Sequence, residues 1–175
     1  MMAVDPSRAM LTRRSIILTL PLTALAARDV TVYFFLAVDC PISNRYVPEI
    51  KRLNSEYLHR GINFVAIFPE PSLTKARLDK WVKDFGISFP VELDSSQSLV
   101  GKSGVTTTPE AAIYADARLI YRGRIDDRYV SLDKSKASPS RSDVKEVLDL
   151  LLKGIVPPER TTKSWGCVIE KVKKP

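Results

Sequence analysis

The apolar run Val30 to Leu36 ends in Asp39-Cys40-Pro41-Ile42-Ser43, and an amphipathic pattern begins directly behind it. A strand that hands over to a helix through a cysteine and a proline sets a thiol at a helix N-terminus. Proline is preorganised for the first helical turn, where its missing N–H costs nothing. The free amides and aligned peptide dipoles of that turn favour an anion. A cysteine so placed can fall from about 8.5 into a pKa range of roughly 3.5 to 7.5. Cys40 is therefore the candidate nucleophile.

The rest of the chain supplies the elements around it. Tyr46, Val47, Ile50, Leu53, Tyr57 and Leu58 recur at three- and four-residue spacing up to Gly61, a helix with one buried stripe and a glycine stop. Ile62 to Phe68 is a nearly continuous apolar run, as expected of a strand covered on both faces. Pro69-Glu70-Pro71-Ser72 breaks it, and a second helix carries Leu73, Leu78, Trp81, Val82 and Phe85 inward before Gly86. Val91 to Leu93 is a short strand, and Asp94-Ser95-Ser96 opens a helical turn through Val100. Ala111 to Tyr114 and Leu119 to Arg122 form a hairpin. Ser142 to Leu152 is the last helix, with Gly154 after it. The polar stretch Arg128 to Arg141 is long for a connection in a compact domain, which points to a functional or disordered loop. The tail from Ile155, with Pro157-Pro158 and no helical period, is expected to wrap over the surface.

Val105-Thr106-Thr107-Thr108-Pro109-Glu110 sits just before the hairpin. A proline opening a central strand needs a special geometry, and a cis peptide is one solution. Cys-Pro at a strand-to-helix junction and Thr-Pro before a later strand together resemble the thioredoxin superfamily. The closer likeness is to the bacterial redoxins, relatives of peroxiredoxins and of periplasmic thiol-disulfide oxidoreductases. It spans about Val30 to Leu152 and includes Phe89-Pro90-Val91-Glu92-Leu93-Asp94 and Tyr121-Arg122-Gly123-Arg124-Ile125-Asp126-Asp127. The resemblance implies an α/β fold, a thioredoxin-like three-layer sandwich with a mixed central sheet flanked by helices. It also implies that Pro41, Thr108 and Pro109 bind substrate. The backbone beside the proline would then be an edge on which an extended peptide docks, or else a purely structural turn.

The ends divide the chain into three. Residues 1–27 read as an export signal, because Arg13-Arg14 precede the apolar stretch Ile16 to Leu25 and small residues follow. Thr12-Arg13-Arg14-Ser15 looks like a twin-arginine signal, and the stretch is shorter than the ~20 residues a membrane span needs. Residues 28–154 form the redoxin domain and 155–175 the tail, so the protein is expected in the periplasm or otherwise exported. The formal charge of +7 leaves peripheral contact with an anionic membrane open. Nucleic acid is disfavoured, because the lysines are scattered and no aromatic platform is interleaved with them. The single histidine, His59, leaves metal binding of the cysteine and histidine type without ligands, and no cofactor is implied.

The second position of a dithiol motif is occupied here by Ser43, so exchange within the motif is excluded. Ser43 either donates a hydrogen bond to the Cys40 thiolate or caps the helix. A lone thiolate can attack a peroxide, giving a sulfenic acid, or attack a substrate disulfide and then need an outside thiol. Peroxiredoxins carry threonine three residues before their cysteine, where this chain has Ala37. Thioredoxins keep a buried acid where it has Phe34. The Asp39 carboxylate opposes the helix terminus by raising the neighbouring thiol pKa. The returning hairpin strand brings Arg122, Arg124 and Asp126 toward the cysteine end of the sheet, so Arg124, or else Arg122, is expected to pair with Asp39 or the thiolate. Cys167 is the only intramolecular partner for Cys40. A resolving role, a bond between chains and a static bridge worth about 4–5 kcal/mol are all consistent with the sequence. The leading expectation is an exported thiol oxidoreductase with peroxide or a protein disulfide as substrate and an external thiol as reductant. The alternative is a redox-inactive binding module on the same fold.

Overall fold

The computed structural model describes residues 29–172, so the segment read as an export signal lies outside the described residues. In chain order the elements are β1 (Val30–Phe35), α1 (Pro41–Tyr57), β2 (Ile62–Phe68), α2 (Lys75–Phe85), β3 (Val91–Leu93), α3 (Ser98–Ser103), β4 (Thr107–Thr108), β5 (Glu110–Ala115), β6 (Arg118–Gly123), α4 (Asp143–Leu152), β7 (Arg160–Thr161) and β8 (Cys167–Val168). Strand, helix, strand, helix, hairpin, helix is the order read from the sequence.

The main sheet runs β3-β2-β1-β5-β6-β7. β1 pairs parallel with β2 and antiparallel with β5, the arrangement of a mixed sheet. Alternate β1 residues face opposite layers, as the two-residue period of a strand requires. Val32 and Phe34 join the larger core with Tyr46, Ile50 and Leu53 of α1 and Val144 and Leu148 of α4. Phe35 joins Ile67, Ala112 and Tyr114 in a smaller cluster, against which Leu99, Val100 and Ile169 of the tail pack. Helices thus cover both faces, and the architecture is the thioredoxin-like sandwich.

Local chemistry fixes the helix ends. The Thr74 hydroxyl caps α2 by accepting from the Arg77 amide at 3.4 Å. The Asp94 carboxylate takes the amides of Ser98 (2.9 Å) and Val100 (3.0 Å), which starts α3 later than the serines alone suggest. His59 lies in a 3-10 turn after α1 and is exposed.

Two stretches carry more order than the sequence showed. The long loop is folded around Asp127, whose carboxylate accepts from the amides of Ser140 (2.8 Å) and Arg141 (3.0 Å) and from Lys136 Nζ (2.5 Å). The tail is not irregular throughout. β7 extends the main sheet beside β6, and β8 pairs with β4 outside that sheet.

Candidate active site

Cys40 is the N-cap of α1, and its sulfur accepts from the Ser43 amide at 3.5 Å. Pro41 follows at the start of the helix, so Cys40, and not Ser43, does the capping. Ser43 is fully buried, and its hydroxyl accepts from the Ala37 amide at 3.3 Å. That bond ties the strand exit to the helix entry. The Cys40 thiol is only 1% exposed and donates to the Thr108 carbonyl at 3.2 Å. Thr108-Pro109 is a cis peptide bond.

The second sulfur arrives on the tail. β8 lies antiparallel on β4, with Cys167 opposite Thr108 and Val168 opposite Thr107. The Ile169 amide continues the ladder to Thr106 O at 3.0 Å. Beyond it the Gln97 side chain stands in for a strand: its Nε2 donates to Glu170 O at 2.5 Å, and its Oε1 accepts from the Val172 amide at 3.1 Å. This pairing puts Cys167 Sγ 2.8 Å from Cys40 Sγ, with the Cys167 thiol donating. Both cysteines are free thiols, and Cys167 is exposed.

The two thiols differ in acidity. Burial pushes Cys40 up, but hydrogen bonds from the Cys167 thiol, the Ser43 hydroxyl and the amides of both residues outweigh it and hold Cys40 below the ordinary thiol range. Burial, the hydrogen bond to Cys40 and the charges of Cys40 and Glu70 push Cys167 up to about 12. Of the two, Cys40 is therefore the thiol that gives up its proton first. Removing two electrons and two protons from such a pair closes a disulfide, whose bond length is about 2.05 Å.

A cleft of 290 Å³ opens beside the sulfurs, lined among others by Asp39, Glu70, Arg77 and Glu170. One carboxylate oxygen of Glu70, Oε2, is buried without a hydrogen-bond partner. Burial raises the Glu70 pKa, and the charge of Asp39 adds to the rise.

The arginine that pairs with Asp39 is not the expected one. Arg124 Nε binds Asp143 at 2.8 Å, and Asp143 is 1% exposed, so a buried carboxylate on α4 holds Arg124. Arg122 donates to Gly104 O at 2.5 Å. Asp39 instead takes both of its contacts, each 2.9 Å, from Arg77 on α2. Asp126, on the same returning segment, receives the Tyr46 hydroxyl. The structure thus brings Cys40, Pro41, Ser43, Thr108, Pro109 and Cys167 together and leaves Arg124 aside. Sequence reasoning missed Arg77, Glu70, Gln97 and Gly166. A proline-flanked glutamate straight after a strand was the visible signal for Glu70. For Gly166 it was a glycine just ahead of a cysteine in an extended tail.

Residues 13–126 match the model of the AhpC/TSA family. Over 76 residues the chain is 29% identical to the thiol-disulfide oxidoreductase ResA of Halalkalibacterium halodurans. That stretch is 43% of this chain and 42% of the relative, so the chain spans less than half the length of the curated relative it matches. Among solved structures, an uncharacterized conserved protein from Geobacillus kaustophilus superposes with a TM-score of 0.70 at 28% identity, covering 85% of this chain and 80% of that one. The hypothetical protein SMc02350 of Sinorhizobium meliloti 1021 gives 0.68 at 26% identity, covering 85% and 82%. The cysteine at the helix start and the proline beside it lie inside the matched span, and by that match the chain belongs to the AhpC/TSA family.

Proposed function

We propose that this protein is an exported thiol-disulfide oxidoreductase whose redox pair is Cys40 and Cys167. One observation carries the reading: a thiol at a helix N-cap, held below its ordinary pKa, has a second thiol 2.8 Å away. With β8 lifted off β4, Cys40 would attack the disulfide of a protein substrate, and Cys167 would return to resolve the mixed disulfide. An external thiol would then return the pair to the reduced state. Disulfide exchange is favoured over peroxide reduction because the groups that peroxiredoxins place around their sulfur are not assembled here. Ala37 stands where threonine would, and Arg124 is bound to Asp143. A redox-inactive binding module is favoured less, because the edge that such a module would offer to a partner carries the protein's own tail. Export rests on the Arg13-Arg14 segment alone.

Alkylation with intact-mass spectrometry tests the pair. After exposure to oxidised glutathione, both thiols should vanish together with the loss of two hydrogens, and dithiothreitol should restore them. Two thiols that stay alkylatable after that treatment would exclude the reading.

A further inference from the structure

Whether an outside thiol opens the disulfide at Cys40 or at Cys167 is a question the two sulfurs answer through their surroundings. Cys40 is 1% exposed and lies under Thr108 and the tail. The edge through which a thioredoxin-like cysteine meets an extended peptide is occupied here by β8, continued by Ile169 on Thr106 O and by the Gln97 amide on Glu170 and Val172. Cys167 is exposed and lines the cleft. Exchange also runs faster when the departing sulfur is the more acidic one. Access and leaving-group character point the same way.

We propose that the external reductant attacks Cys167 and not Cys40, and that this reductant is a thiol of neutral or basic surroundings. The proposal rests on the Cys40 and Cys167 pair being redox-active. The incoming thiolate bonds to Cys167 Sγ, the Sγ–Sγ bond breaks, and its electron pair leaves on Cys40 as the thiolate. A second equivalent of the same thiol then attacks the mixed disulfide. It releases the oxidised reductant and leaves a Cys167 thiolate, which takes up a proton. Two thiols are oxidised to one disulfide, and one protein disulfide is reduced to two thiols.

The reductant's charge follows from the cleft. Among the described residues, Asp39, Glu70 and Glu170 line it against one cation, Arg77, which Asp39 already pairs with. A thiol with a negative group must approach two further carboxylates, and one with a positive group is drawn toward them.

The test uses the full chain in its oxidised form, mixed briefly with cysteamine, quenched with N-ethylmaleimide and mapped by peptide mass. Cysteamine on Cys167 with maleimide on Cys40 is the expected result, and the reverse pattern overturns the proposal. Cysteamine should also open the disulfide at least about 5-fold faster than 2-mercaptoethanesulfonate at equal thiolate concentration, with the gap shrinking as salt screens the cleft. Equal rates overturn the charge preference. As a second arm, Cys40→Ser and Cys167→Ser chains are labelled with the Ellman reagent. The label on Cys167 should be released by cysteamine faster than the label on Cys40, and failure of Cys40 to take the label counts as the same outcome. Equal release overturns the inference while leaving the redox pair intact. If the wild-type chain forms no Cys40–Cys167 disulfide, the pair itself fails and the inference falls with it.

Discussion

Gly166 lies so close to Thr108 that a Cβ on it would sit 2.0 Å from the Thr108 carbonyl oxygen. The same oxygen accepts from Cys40, so one carbonyl sets the distance of the tail from the sheet and receives the reactive thiol. Gly166→Val should push β8 off β4. Forcing extra atoms into a packed contact costs about 1–3 kcal/mol, which lowers the ratio of docked to undocked tail by about 5- to 150-fold. Alkylation of Cys40 should accelerate, and oxidation to the internal disulfide should slow. Unchanged rates of both, measured by quenched-flow alkylation, would mean that the tail does not need this close approach.

Arg124→Met separates stability from reactivity. Among the described residues, Arg124 is one of three cations around the buried Asp143 carboxylate, with Arg160 at 3.3 Å and Arg141 at 3.7 Å. The loss should be about 2 kcal/mol, below the roughly 3–5 kcal/mol of a buried pair that loses its only partner. Urea denaturation measures it. The pH profile of Cys40 alkylation should not move, since Arg124 is spent on α4.

In the reduced protein the pH profile of alkylation should show one thiolate forming below the ordinary thiol range and a second only toward pH 12. Cys167→Ser replaces the thiol that donates to Cys40, so the Cys40 midpoint should move. Cys167→Ala removes the donor altogether and should raise it further. The order wild type, Ser, Ala in rising Cys40 pKa is the expected series. A midpoint identical in all three would show that the helix start alone sets the acidity.

Glu70→Gln is predicted to stabilise the protein at neutral pH. Burial, with Asp39 adding to it, raises the Glu70 pKa, so the folded state favours the protonated acid. A carboxyl group raised in this way supports folding below its unfolded pKa and withdraws that support as pH rises through the folded value. Glutamine carries no such charge. The difference in melting temperature between variant and wild type should therefore be small at pH 4 and positive at pH 7. A variant less stable at pH 7 than at pH 4, relative to wild type, would contradict it.

The β1-to-α1 passage, the hairpin and the special proline were legible because each is written within a few consecutive residues: an apolar run, a cap, a breaker. Ser43 was legible as a support for Cys40 but not as the residue that also receives the Ala37 amide. The contacts that position the site span long separations, and no local pattern reports them. Asp39 and Arg77 are 38 residues apart, and Cys40 and Cys167 are 127 apart. Arg124 was misplaced for a related reason. The direction of a returning strand says which end of the sheet its residues approach, but not which of two carboxylates claims them. Asp143, buried at the start of α4, offers the stronger site for a guanidinium than the exposed Asp39. The tail seemed featureless because two-residue strands carry no period to detect.

The anchoring of β7 also bounds the chemistry in space. Thr162 is fastened by its amide to Arg122 O at 3.0 Å and by its hydroxyl to Tyr121, and the Arg124 amide donates to that hydroxyl at 3.1 Å. Only residues 163–167 separate this mooring from the Cys167 sulfur. Five residues of fully extended chain reach about 17 Å. Any excursion of Cys167 is thus a short radius drawn around a fixed post, and its return to Cys40 is a first-order event whose rate is blind to dilution of the protein.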